Sequence, residues 1–127
     1  MTLWRVCLML VALAAAACAQ FAVSPRLDEA RQLIAVDRVE EALANVEALL
    51  RDDPHNPELR AFLARERELA VARWFAQADF ARSSGNQTEA ERFLDRILAL
   101  EPRNSRALLA REAVRTERRH QSRIAEA

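Results

Sequence analysis

The side chains whose types suggest chemistry are few: the thiols Cys7 and Cys18, the imidazoles His55 and His120, and the adjacent carboxylates Asp52 and Asp53. Imidazoles and carboxylates hold a metal or relay a proton only when several converge. His55 sits in a proline-flanked turn and His120 among arginines, and neither has a cysteine, histidine or carboxylate at metal-ligand spacing. Both read as surface or loop histidines. Asp52 and Asp53 close a helical stretch before Pro54, so they read as an ordinary turn rather than a catalytic pair. The chain also lacks a glycine-rich phosphate loop and a G-x-S-x-G elbow. An enzyme is therefore not expected, and neither a cofactor nor a metal.

Cys18 differs because its surroundings define a reaction. The chain opens Met1-Thr2-Leu3-Trp4-Arg5, runs uncharged from Val6, and reaches Ala15-Ala16-Ala17-Cys18 before the polar Gln20. A short basic start, an apolar stretch and small residues at a cut are the layout of an export signal. Read generously to Val23, the apolar stretch barely reaches the ~18–20 residues that span a bilayer, so a cleaved signal is favoured over a retained anchor. The small residues before the cysteine resemble the lipobox of bacterial lipoproteins, although Ala15 stands where that family usually has a larger aliphatic residue. The resemblance implies a signal peptide over 1–17, a lipidated Cys18 as the mature N-terminus, and a linker over 18–24. Ala19 after the cysteine, rather than Asp, implies the outer membrane. Ala17-Cys18-Ala19 also forms an A-x-A site, so an alternative cut falls after residue 19. Cys7 leaves with the signal, and no disulfide framework follows from what remains.

Lysine is absent, every basic residue but Arg5 lies in the mature part, and the whole chain has a formal net charge of +0. A nearly neutral chain gives no electrostatic case for nucleic acid. Arginines can instead pair bidentately with carboxylates of the same chain.

From Ser24 onward the only glycine is Gly85, and alternating strand patterns are missing, so the mature part reads as one all-α domain over 25–127. Breakers divide it at Ser24-Pro25, at Asp53-Pro54-His55-Asn56-Pro57, at Ser83-Ser84-Gly85-Asn86 and at Glu101-Pro102-Arg103-Asn104, with a softer break at Asp37-Arg38. Ser24, Asn56 and Asn104 can accept hydrogen bonds from free helix N–H groups, and proline follows the first two where no N–H is needed. Between breaks, Leu27, Ala30, Leu33 and Ile34, then Val39, Ala42, Leu43, Val46, Leu49 and Leu50, then Phe93, Leu94, Ile97 and Leu98 recur at helical spacing.

The segments repeat. Setting Pro54 on Pro102 brings Ala42 onto Ala90, Val46 onto Leu94, Leu49 onto Ile97, Asn56 onto Asn104 and Asp37-Arg38 onto Gly85-Asn86. This order resembles the tetratricopeptide repeat, a helix–turn–helix unit of about 34 residues. The second copy carries Trp74, Ala78, Gly85, Ala90, Leu94 and Pro102 at that family's aromatic, small, turn, small, large-apolar and proline places. The resemblance implies a stack of helical hairpins: repeat 1 over about 25–56, a long connecting helix over 57–82, repeat 2 over about 71–104, and a capping helix over 105–124. The prolines stand 48 positions apart, about 14 more than one repeat, and those 14 make nearly four turns of helix.

A more specific likeness covers Arg67-Glu68-Leu69-Ala70-Val71-Ala72-Arg73, Gln77-Ala78-Asp79, Ala99-Leu100-Glu101-Pro102-Arg103-Asn104 and Arg118-Arg119-His120. These segments are similar to the N-terminal repeat module of some type II secretion and type IV pilus secretins. That likeness implies a non-enzymatic scaffold with protein partners in the cell envelope, held on the periplasmic side of the outer membrane by lipid. A soluble periplasmic chaperone or peptide-binding adaptor is the alternative. In the tetratricopeptide family the first helix of each hairpin lines a concave face. Carried over, that face holds Arg31 and Ile34 in the first repeat and Phe75, Asp79 and Arg82 in the second; Phe75 is either an apolar anchor for a peptide, with Asp79 and Arg82 fixing its direction, or, as the favoured alternative, a core residue beside merely solvated charges. The arginines Arg115, Arg118, Arg119 and Arg123 interleave with glutamates and read as a solvated face. Two repeats bury little, so the mature piece is expected to be modestly stable or to dimerise through its end faces.

Overall fold

The computed structural model describes residues 25–125, and every one of its elements is helical. The expected signal peptide, Cys18, both cleavage points, the linker 18–24 and the Ser24 cap lie outside the described residues. The elements are α1 (Pro25–Ala35), α2 (Val39–Asp52), α3 (Pro57–Ser83), α4 (Gln87–Leu100) and α5 (Ser105–Ala125). Each packs chiefly on its neighbour in sequence. The charged run Arg65-Glu66-Arg67-Glu68 lies inside α3, whose 27 residues make a rod about 40 Å long.

The turns explain the order. Asn56 Oδ1 accepts from Leu59 N at 3.1 Å and Asn104 Oδ1 from Ala107 N at 3.0 Å, so each asparagine satisfies a free donor at the start of its helix. Asn86 does the same for α4 through Glu89 N at 3.1 Å. Before α2, Arg38 offers no side-chain cap, and the acidic Glu40 and Glu41 in the first turn favour the helix dipole instead.

Two kinds of turn occur, each twice. Asp37 has φ 60 and Gly85 φ 78, and both follow the end of a helix in the left-handed region. The Arg38 amide reaches Leu33 O at 2.9 Å and the Asn86 amide reaches Ala81 O at 2.8 Å, the closing bond of a Schellman turn. The other turn leaves α2 at Asp53 (φ -134, ψ 75) and α4 at Glu101 (φ -132, ψ 79). There the Asn56 amide bonds Asp53 O at 3.2 Å and the Asn104 amide bonds Glu101 O at 3.0 Å. Both kinds recur at the offset that sets Pro54 on Pro102, and α2 and α4 each have 14 residues. One backbone pattern is thus built twice.

Apolar faces collect in two clusters. Leu27, Ala30, Ala42, Val46 and Leu59 form the smaller, joining α1, α2 and the start of α3. The larger joins the second half of α3 to α4 and α5 around Trp74, with Ala70, Ala78, Ala90, Leu94, Ile97, Ala107 and Val114, and takes Val39 and Leu43 from α2. Small residues dominate where helices approach closely: Ala42, Ala70, Ala90 and Ala107 have no exposed surface. Leu63 touches both clusters, so α3 is the shared wall.

Candidate functional site

The second hairpin's expected contact residues lie on one face of α3, since Phe75, Asp79 and Arg82 are spaced four and three apart. That face is met by α5. The Arg106 guanidinium stands 3.9 Å from the Phe75 ring centroid, and its Nη2 lies 3.7 Å from Asp79 Oδ2. One turn further on, Arg82 forms a two-pronged pair with Glu117, with Nε at 3.1 Å from Oε2 and Nη2 on Oε1. This fork is the geometry that suits arginine to a carboxylate.

Phe75, weighed between an anchor and a core residue, is 7% exposed and belongs to the core. Its place matches Leu27 of the first hairpin, which is also buried, so the position serves packing in both. In the first hairpin, Arg31 Nη1 bonds Asp28 at 3.1 Å and its guanidinium lies 5.6 Å from the Phe62 ring, while Ile34 is half-buried against the smaller cluster. Of the five expected residues, Arg31, Asp79 and Arg82 therefore present polar groups to solvent, and Phe75 and Ile34 chiefly pack.

Charge pairs organise the surface more widely. Arg96 reaches from α4 to the first hairpin: Nε and Nη2 bond the two Glu40 carboxylate oxygens at 2.6 and 2.9 Å, and Nη1 bonds Asp37 Oδ2 at 3.1 Å. Its Nη2 also meets the Asp37 carbonyl at 3.3 Å. The hydrogen bond from Arg96 holds the Glu40 carboxyl below its ordinary 4.5, against opposing burial. On α4, Glu91 takes Arg115 and Arg118 of α5, and chiefly the Arg115 hydrogen bond lowers its pKa. Glu117 is lowered in the same way, first by Arg82, with a further hydrogen bond from Gln87. Half of the arginine group read as a solvated face, Arg115 and Arg118, also ties α5 to α4.

Among the described residues no group of three or more His, Cys, Asp or Glu could hold a metal ion, and no helix is long and apolar enough to cross a membrane. Comparison with known proteins finds no matching family model, curated protein or solved structure.

Sequence reasoning missed Arg96, Arg106 and Glu117. Their partners lie 59 residues away for Arg96 to Asp37 and 35 for Glu117 to Arg82, where local periodicity is silent.

Proposed function

We propose that this chain is a non-enzymatic protein–protein interaction scaffold of the bacterial cell envelope, built from tetratricopeptide-like hairpins and tethered by lipid on Cys18 to the periplasmic side of the outer membrane. The preferred setting is a secretin-based secretion or type IV pilus assembly. The observation that carries the reading is the twofold construction of one hairpin with the same turns, because tandem hairpins make extended surfaces suited to binding proteins. The mix of solvent-facing arginines and carboxylates on α1 and α3 adds polar groups that would orient a partner. The lipobox-like Ala15-Ala16-Ala17-Cys18 supports the tether, and the segments similar to secretin repeat modules support the assembly.

The test is cross-linking in intact cells followed by separation of envelope fractions by size. A scaffold migrates in a large outer-membrane complex whose cross-linked members include the ring-forming component. Migration as a free species in the soluble periplasm, unchanged by cross-linker, counts against it; transient cross-links to many unfolded or extended chains point to the adaptor instead.

A further inference from the structure

Between α3 and α4, on the flank away from α5, runs a groove of about 450 Å³ with Ala76, Phe80 and Phe93 as its apolar surface and Arg73, Gln77 and Glu89 on its walls. Phe80 is 74% exposed at the groove's rim. Among the described residues this flank is open. Among the described residues the first hairpin meets the second chiefly through the start of α2, where Val39 and Leu43 join the Trp74 cluster and Asp37 and Glu40 hold Arg96. The rest of α2 turns to the Leu59 end of α3. The length of α3 sets the first hairpin along the rod, so among the described residues no helix lies over this flank of α3 beyond Ala76, α5 being on the opposite face.

The first hairpin is an internal control for what this flank requires. In the offset that sets Pro54 on Pro102, Phe80 corresponds to Gln32 and Phe93 to Asn45. The hairpin folds with two polar amide side chains at those places, so neither phenylalanine is demanded by the turns or caps. Both polar-to-aromatic changes fall on one groove. Its walls are helices, whose backbone groups are already bonded, so an occupant gains nothing from pairing as a strand, whereas a third helix can set its ridge between two others. From Arg73 to Ser84 the wall extends about 16 Å, or three helical turns. Charge adds a direction. Glu89 is engaged by Arg92 at 2.7 Å, while Arg73 is exposed and forms no ion pair among the described residues.

We infer that the groove receives about three turns of an amphipathic helix from a partner protein, with bulky apolar residues three or four apart seated between Phe80 and Phe93 and a carboxylate set against Arg73. This rests on the scaffold reading and states the chemistry of its partner.

The probe is a displayed library of helical peptides about 14 residues long, panned against the full chain purified in detergent. Enriched peptides carry two large apolar residues three or four apart with an acidic residue beside them. Phe80→Ser weakens them about tenfold or more while leaving the unfolding midpoint unchanged, since the ring is exposed. Arg73→Glu turns the preference from acidic to basic peptides. Peptides whose binding survives Phe80→Ser, or whose charge preference ignores Arg73→Glu, overturn the groove and leave protein binding elsewhere intact. An empty selection overturns it too, and the cross-linking above then reports separately on the scaffold. Self-association of the full chain that Phe80→Ser abolishes gives the groove to a second copy, and so also overturns it.

Discussion

The Arg96 guanidinium lies 4.2 Å from the centroid of the Trp74 ring, while its donors hold Glu40 and Asp37 on the other hairpin. One side chain thus covers the largest fully buried residue and ties the two hairpins together. Trp74 is 0% exposed and its indole nitrogen has no acceptor among the described residues, so its worth is packing and the cation above it.

Replacing Arg96 by alanine is expected to destabilise the chain by about 1–3 kcal/mol, within the range for hydrogen bonds to charged groups and a partly covered cation–π contact. Arg96→Lys recovers only part, because a lysine cannot present the planar fork that Glu40 accepts. Denaturant titration measures both, and equal stability of Arg96→Lys and the parent would contradict the geometry.

Asp37 sits at φ 60, where a side chain is strained and glycine is not. Its carboxylate accepts from Arg96, which accounts for aspartate at a place where the second hairpin has Gly85. In an Arg96→Ala background, Asp37→Gly should therefore stabilise by about 1 kcal/mol, since only the strain remains to be relieved. At Gly85 an added Cβ meets nothing within 4 Å, so Gly85→Ala should cost about 1 kcal/mol through backbone alone. Unfolding titrations of the two variants check both signs.

Asn56 and Asn104 cap matching helices with nearly the same bonds, at 3.1 and 3.0 Å. Alanine at either is expected to cost about 1 kcal/mol. Similar losses in unfolding experiments support one turn built twice; a loss at one position alone speaks against it.

Glu40, Glu91 and Glu117 all have carboxyl groups held below the ordinary 4.5 by arginine hydrogen bonds. The folded state therefore binds fewer protons than the unfolded one, and stability rises with pH through that region. Their contribution is present above pH 4.5 and is lost as pH falls through their lowered values. Denaturation midpoints should be flat from neutrality to about pH 5 and then fall. Glu117→Gln, which removes one such group, should flatten the acid limb.

The all-α fold was legible because its signals are local: helical spacing from Leu27 to Leu98, asparagines ahead of helices, and a single glycine placed in a turn. The pairing of Asp37-Arg38 with Gly85-Asn86 was legible as well, although the sequence does not reveal that Asp37 adopts the glycine-like backbone. What escaped reading is set by helices meeting across distance. Phe75 could be read as an anchor or as core because its helical face is the concave one in the resembled family, and only the packing of α5, which lays Arg106 over it, decides between them.

Whether the chain is a lipid-tethered envelope scaffold is decided by the mass of the native protein's N-terminal peptide, taken from separated membrane and soluble fractions. A tethered scaffold begins at acylated Cys18 and is recovered with the outer membrane. An unmodified N-terminus at Gln20 in the soluble periplasm, or Met1 retained in the cytoplasm, would contradict the tether and the scaffold built on it.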